Sequence, residues 1–276
     1  GLDGSQDNAD YPQRLMLGSD YRLNNKVTLF ANQEFTWGYN RRTQDSRVGA
    51  RATPWQGGTV TSEVSRTMDE YGPRMMAHAG LFQTIELTSQ WTADVGFDRA
   101  QTLTDGPTVD GFDPRRAPAS GTATSDYTAV SGGIGYRDAA WQWTNRAEFR
   151  QAETDDKWNL MSGFRHRLDA TDTLSGRALH FDQQFRNGDI LRSSELDASW
   201  ARRPLDDGLI WLNRTRLIYD EQRTAAASLF GHRIINNTHL NFAHADRHQL
   251  SFQYGARYVG ETIDAARYTG YTDLVA

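Results

Sequence analysis

Apolar and polar residues alternate along this chain with a period of two, and the stretch from Ile85 to Phe97 shows the alternation most clearly. Its odd positions include Ile85, Trp91, Val95 and Phe97, whereas its even positions are polar, charged or glycine. A period of two places successive side chains on opposite faces of a β-strand. At about 3.3 Å per residue the stretch would span roughly 40 Å, well beyond the usual strand of about 5–6 residues. The pattern therefore predicts one long strand with an apolar face and a polar face.

The same alternation recurs through the rest of the chain and predicts about fourteen strands and no helix. The predicted strands include 13–23, 26–39, 74–83, 85–97, 173–183 and 228–243, and a further strand begins near Tyr268. A tilted strand that crosses a bilayer core needs about 9–11 residues plus its flanks. The predicted fold class is all-β: an antiparallel up-and-down transmembrane β-barrel with about 14 visible strands, and about 16 or more in the complete protein.

The connections between the predicted strands alternate in length. Short connections follow the odd-numbered strands, at 24–25, 56–58, 83–84, 138–139, 169–172, 204–207 and 245–247. Longer connections follow the even-numbered strands, at 40–45, 69–73, 100–125, 151–156, 184–188, 220–227 and 260–267. Short turns at one end and longer loops at the other are typical of outer-membrane barrels. If the short turns are periplasmic, both ends of this chain lie near the outer surface, so we expect a segment of a longer protein.

Composition excludes several function classes. The chain has no cysteine, which excludes disulfide bonds, thiolate metal sites and a cysteine nucleophile. Its net charge of −5 argues against nucleic-acid binding. The mean hydropathy of −0.70 is low for a membrane protein, but a barrel permits this value because half of each strand faces a wet interior. No apolar run is long enough for a transmembrane helix, and no motif indicates a cofactor.

The pattern as a whole resembles a Gram-negative outer-membrane β-barrel. The resemblance is most specific in the runs 238–242, 247–258 and 267–274, which are similar to the C-terminal barrel region of large proteobacterial surface proteins with adhesin-type or Ig-like repeats. The resemblance implies a location in the cell outer membrane and partners of three kinds. These are outer-membrane lipid with lipopolysaccharide, the barrel-assembly machinery, and further domains of the same protein.

The polar face of the predicted strands carries many charged residues, which we expect to line the barrel lumen. Twelve of them form the predicted lining: Arg47, Arg51, Glu63, Glu86, Asp94, Arg146, Glu148, Arg150, Arg165, Arg214, Arg216 and Arg257. Such a lining suits a water-filled passage that selects solutes by charge. It equally suits a salt-bridged interior that fills the barrel, because arginine pairs bidentately with carboxylates.

The longest predicted connection, 100–125, is rich in glycine, proline, threonine and aspartate. Asp105, Asp110 and Asp113 would face the lumen arginines if this loop folded inward as a constriction. The alternatives are an extracellular loop without such a role and a Ca²⁺ loop, although the aspartate spacing matches no known Ca²⁺ motif.

The tryptophans mostly fall on the apolar face near strand ends, where an amphipathic ring is stable at a membrane interface. The predicted aromatic girdle contains Trp37, Trp91, Trp141, Trp143, Trp158, Trp200, Trp211 and Tyr258. The alternative is the core of a soluble β-protein, in which charges at Leu87 or Val95 would destabilise a dry interior irrespective of detergent.

Two other chemistries are weaker alternatives. His232, His239, His244 and His248 cluster late in the chain, but without a placed third ligand they make a poor metal site. A barrel-embedded hydrolase would need a serine–histidine arrangement, and the chain has no G-x-S-x-G elbow.

We therefore expect residues 1–276 to form a single outer-membrane β-barrel domain without enzymatic activity. Its expected function is the membrane anchor or translocator of a larger cell-surface protein. The alternative is a passive, porin-like diffusion channel with a charged lumen and a constricting 100–125 loop.

Overall fold

The computed structural model describes residues 2–3, 13–38, 41–69, 72–104, 126–204, 208–244 and 248–275. These ranges form sixteen strands: β1 Leu2–Asp3, β2 Gln13–Asn24, β3 Val27–Gly38, β4 Arg41–Ala52, β5 Gly58–Asp69, β6 Gly72–Glu86, β7 Trp91–Thr104, β8 Tyr127–Arg137, β9 Trp141–Ala152, β10 Asp155–Arg167, β11 Asp172–Phe185, β12 Ile190–Arg202, β13 Leu209–Arg223, β14 Ser228–His244, β15 His248–Ile263 and β16 Ala266–Val275. In these ranges no helix has the length and hydrophobicity needed to span a membrane.

The strands follow one another in sequence order, from β1 to β16, and the ladders within each part of the chain are antiparallel. The predicted all-β, antiparallel up-and-down arrangement is confirmed. The chain divides into two compact units: unit 1 contains residues 1–84, 95–130 and 151–153, and unit 2 contains residues 85–94, 131–150 and 154–276. The single domain of 1–276 remains a prediction.

The predicted strand 85–97 is wrong, because the chain turns in its middle. β6 ends at Glu86 and β7 begins at Trp91. The turn between them is closed by the Leu87 backbone N–H, which donates to the Trp91 carbonyl at 2.9 Å. The Thr88 hydroxyl accepts hydrogen bonds from the backbone N–H groups of Gln90 and Trp91, both at 3.1 Å. A threonine side chain thus stabilises a turn that the alternation conceals.

The predicted contrast between short and long connections is also wrong for the described connections, and most of the predicted connection 100–125 lies outside the described residues. Connections expected to be long shrink to 153–154, 186–189, 224–227 and 264–265, whereas one expected to be short covers 53–57. Strand pairing continues through the polar residues of these predicted connections, so polarity alone does not mark where a ladder ends. At 264–265 both residues, Asp264 and Ala265, have positive φ, as in the tight hairpin turns that usually contain glycine.

In unit 1 the register of β2–β6 divides the described side chains between two faces. Val48 lies beside Ala31 and Val64, whereas Arg47 lies beside Asn32 and Ser65. We call the face that contains Val48 the apolar face and the face that contains Arg47 the polar face. Val48 and Val64 are exposed. Among the described residues, the buried hydrophobic side chains Phe30 and Met76 occupy polar-face positions.

Unit 2 has the same division into two faces. Leu196 lies between Ala178 and Leu217, and Leu217 lies beside Ile234. Leu196, Leu217 and Ile234 are 52%, 42% and 44% exposed, respectively. Asp197 belongs to the opposite, polar face and is buried. The middle of the apolar face is therefore uncovered while a carboxylate is buried, which is the reverse of a water-soluble sheet packed on a core.

Candidate functional site

The polar face of unit 1 carries ion pairs around two buried carboxylates, Glu34 and Asp45. The Arg47 guanidinium lies 3.1 Å from Asp45 Oδ2 and 3.9 Å from Glu34 Oε2, and Arg14 Nε lies 3.8 Å from Glu34 Oε1. Both carboxylates are only 4% exposed. A buried carboxylate needs a nearby opposite charge. The arginines of this cluster therefore stabilise the two buried carboxylates on the polar face. The sequence predicted Arg47 as a lining residue but placed Asp45 in a loop.

A second polar cluster in unit 1, formed by His78, Asp98 and Tyr127, was not predicted from the sequence. His78 pairs in register with Glu63, a predicted lining residue. His78 Nε2 lies 2.5 Å from Asp98 Oδ1, and the Tyr127 hydroxyl donates to Asp98 Oδ2 at 3.1 Å. The predicted lining residue Arg51 lies on the same face, with its guanidinium 5.7 Å from the centre of the Phe30 ring. Alternation alone gives no signal for such partners, since they come from different strands.

The polar face of unit 2 carries its densest charge on β11, β12 and β13. Asp197 accepts hydrogen bonds from Arg214 Nε at 2.8 and 3.0 Å, and Arg214 Nη2 also contacts it. Arg216 Nε lies 3.3 Å from Asp197 and 3.5 Å from Glu195, while Arg177 donates to Glu195 at 2.6 Å. The predicted lining residues Arg214 and Arg216 are thus brought together around shared carboxylates.

Other predicted lining residues of unit 2 lie on the polar face. Arg146 lies 3.8 Å from Asp94 and donates to the Ser131 hydroxyl at 3.1 Å. Glu148 accepts a hydrogen bond from Asn159 at 3.4 Å. The alternation of the strand or its register places the remaining residues of the predicted lumen lining on the same face: Glu86, Arg150, Arg165 and Arg257.

The predicted girdle residues all occupy apolar-face positions. In unit 1 the Trp37 ring stacks on Phe35, with ring centres 6.1 Å apart. In unit 2 the aromatic pairs are Trp91 with Tyr136 and Trp143, Trp141 with His166, Phe149 with Trp158, Trp200 with Trp211, and Tyr258 with His232. Paired rings gain stability beyond their buried area. Their role as a girdle remains a prediction.

Charged residues bound one end of the apolar face in unit 2, at the connections 186–189 and 224–227. Arg192 donates to Asp182 at 2.7 Å and to Glu221 at 3.1 Å. Both carboxylates are buried. Tyr219 donates from its hydroxyl to Glu221 at 3.3 Å. The apolar face therefore ends in an ion-paired, charged border.

Four polar side chains interrupt the apolar face on β13 and β14, and the sequence pattern did not reveal them. Asn213 donates to the Thr238 hydroxyl and Asn236 donates to the Thr215 hydroxyl, both at 2.8 Å. Thr238 in turn donates to Asn236 at 3.2 Å. We call these four residues the amide–hydroxyl cluster. Mutual hydrogen bonding lowers the cost of placing such groups in an apolar environment.

The remaining candidate sites receive little support. Asp105, Asp110, Asp113 and the side chain of His244 lie outside the described residues. His232 and His239 lie on opposite faces of β14, and the described residues contain no group of three side chains able to hold a metal ion. His180 Nδ1 lies 2.8 Å from Ser194 Oγ, but the pair is on the apolar face, and the nearby Asp182 is bonded to Arg192.

Comparison with known proteins gives likenesses among solved structures only. No protein-family model matches the chain, and no curated protein matches it. The chain is similar to a bacterial polysaccharide outer membrane secretin, with 10% identity, a TM-score of 0.47, and coverage of 96% of this chain and 90% of that chain. It is similar to an anion-selective porin from Comamonas acidovorans, with 7% identity, a TM-score of 0.38, and coverage of 96% and 97%. It is also similar to OmpT, an outer membrane protein of Vibrio cholerae, with 8% identity, a TM-score of 0.40, and coverage of 99% and 89%. The resemblance to adhesin-type or Ig-like surface proteins remains a prediction.

Proposed function

We propose that this chain forms a membrane-spanning β-barrel of the Gram-negative outer membrane and that its polar face lines an aqueous passage for small hydrophilic solutes. The observation that carries the proposal is the inversion of the two faces. Large apolar side chains such as Leu196 and Leu217 are exposed, whereas carboxylates such as Asp197 and Glu34 are buried.

The apolar face has the dimensions of a lipid-facing band. On β13 it extends from Leu209 to Tyr219, and the charged residue Glu221 follows. Ten residue steps at about 3.3 Å give roughly 33 Å along the strand. A tilt of about 40° reduces this to roughly 25 Å along the membrane normal, the usual height of the apolar band of an outer-membrane barrel. An exposed apolar surface of this extent would be a liability in water.

The polar face favours a wet passage over a filled interior. The side chains of Arg177 and Arg214 are 47% and 48% exposed, although both are ion-paired. An exposed guanidinium requires water or counter-ions around it. The expected anchor or translocator function differs from a channel in having an interior closed to solutes.

The charged border supports the expected contact with lipopolysaccharide. Arg192, Asp182 and Glu221 directly follow the apolar band, beside the ring of Trp158, which pairs in register with Asp182. At a membrane surface this border would meet phosphate groups, for which arginine is well suited. The barrel-assembly machinery and further domains remain expected partners.

Conductance of the refolded full chain in a planar bilayer tests the proposed function. We expect steady, ohmic conductance that scales with bulk salt concentration. Protein that was heat-denatured before addition is the control and should give none. A heat-modifiable barrel on gels that never conducts would refute the passage and favour the anchor.

A further inference from the structure

A hollow of about 280 Å³ lies on the polar face of unit 2. Its polar lining comes from three neighbouring strands: Gln142 and Thr144 on β9, Arg165 on β10, and Arg177 on β11. Met161, Gly163 and Phe164 supply the rest of the β10 part, and Gly176 supplies the rest of the β11 part. The hollow is therefore bordered by two arginines, one glutamine and one threonine, and its volume is large enough for a small solute.

The hollow exists because Gly163 has no side chain. Gly163 pairs in register with Arg177, between the polar-face positions Met161 and Arg165. A Cβ atom built on Gly163 would lie 3.7 Å from the Gly176 carbonyl oxygen, with no other neighbour nearer than 4 Å. A Cβ atom would thus be accepted here without a clash, so steric crowding at that position does not account for a glycine.

Arg165 is free to bind a ligand. Among the described residues no carboxylate pairs with its guanidinium, whereas Arg177 already donates to Glu195 at 2.6 Å. Each guanidinium has five N–H donors, so Arg177 also retains donors after that contact. The hollow therefore offers unused donors on both sides.

The surroundings of the hollow are positively charged, although the whole chain carries −5. Two adjacent register rows cross β10 to β15: one contains Arg165 and Arg214, and the other contains Arg177, Arg216 and Arg257. The two rows thus contain five positively charged arginines. Asp197 is the carboxylate within these rows, and Glu195 lies in the row beside them. Focused positive potential attracts anions.

We infer that this hollow binds the oxyanion group of a small solute, a phosphate or a carboxylate. Arg165 supplies the bidentate fork, Arg177 adds a second positive charge, and Gln142 and Thr144 donate from the β9 side. Planar guanidinium groups match the geometry of both oxyanions. The inference names the solute class of the proposed passage and rests on that function.

Binding of inorganic phosphate to the detergent-refolded full chain tests the site without requiring conduction. Calorimetric titration of wild type should give saturable binding that competes with acetate. Arg165→Gln should weaken it by about tenfold or more, the effect of losing a charge-assisted hydrogen bond. Gly163→Leu fills the hollow and should abolish binding while leaving Arg165 in place. Arg202→Gln is the matched control, because it removes the same charge from the opposite face of the sheet.

Bilayer recordings in a salt gradient separate this inference from the proposed function. We expect wild type to prefer chloride over potassium and Arg165→Gln to reduce that preference, with Arg202→Gln unchanged. Phosphate binding that is lost in Arg165→Gln, in a chain that does not conduct, would support the site and refute the passage. Conduction without phosphate binding, or equal binding by all the variants, would refute the site and leave the passage intact.

Discussion

Replacing Leu217 by arginine separates a lipid-facing sheet from a water-exposed one. Leu217 is 42% exposed on the apolar face. It lies four residues from Glu221 at the charged border, or about 13 Å along the strand and roughly 10 Å in depth at a tilt of about 40°. In a bilayer the new guanidinium would therefore enter hydrocarbon close to the midplane.

The two environments predict different costs for this change. An arginine near the midplane of a barrel's lipid face destabilises by about 2–4 kcal/mol, and the cost falls to about 0–1 kcal/mol near the interface. A half-exposed surface substitution in water usually changes stability by no more than about 0.5 kcal/mol. A difference of about 2 kcal/mol or more corresponds to at least a roughly 25-fold change in the unfolding equilibrium constant.

The assay is reversible guanidinium unfolding of the full chain in phosphatidylcholine vesicles, followed by tryptophan fluorescence. Ile218→Arg is the matched control, because the adjacent residue points to the polar face and pairs in register with Glu195. Leu209→Arg, at the far end of the band, tests the depth dependence. If Leu217→Arg costs no more than Ile218→Arg in vesicles, the assignment of the apolar face to lipid is refuted.

Two further changes test local structure in the same assay. Asn236→Ala should cost about 1–3 kcal/mol, because it removes the amide that donates to the Thr215 hydroxyl and the carbonyl that accepts from the Thr238 hydroxyl in an apolar environment. Asn237→Ala, on the opposite face, should cost less, and equal costs would contradict the role of the cluster. The pKa of Asp138, in the β8–β9 turn, lies below its ordinary value because its carboxylate accepts hydrogen bonds from the Tyr136 hydroxyl and from two backbone N–H groups. The stabilisation by the Asp138 carboxylate is complete above the unfolded-state pKa of about 4 and is lost as pH falls through the lower folded-state pKa. The stability difference between wild type and Asp138→Asn should therefore shrink on acidification. A difference independent of pH would contradict this explanation.

The faces of the strands could be predicted from the sequence, but the turn at 87–90 could not. Leu87 and Trp91 are both odd-numbered, so alternation of apolar residues continues through the turn without interruption. The turn depends on hydrogen bonds of Thr88, and threonine is also favoured in strands. Periodicity therefore reports which face a residue occupies but not where a strand reverses.

The charges of the candidate site could be predicted, but their partners could not. Arg214 and Arg216 follow from alternation within β13, whereas their joint contact with Asp197 depends on the β12–β13 register. The hollow at Arg165 depends on a glycine and on three strands together. A single strand's pattern contains no information on what lies across from it, because register is determined by the turns and by both strands.

The sequential strand order has a consequence for how the molecule folds. In the described part of the chain each strand has its sequence neighbours beside it, so these ladders form between neighbouring segments, and only closure of the proposed barrel needs strands from distant parts of the chain. Proteins rich in such local contacts fold faster than those that depend on distant pairings, since closing short loops costs little entropy. Turns closed by their own side chains, such as that of Asp169, which accepts from the backbone N–H groups of Thr171 and Asp172, give each hairpin a nucleus of its own. This strand order favours assembly hairpin by hairpin, in which the expected folding error is a slip of register between neighbouring strands.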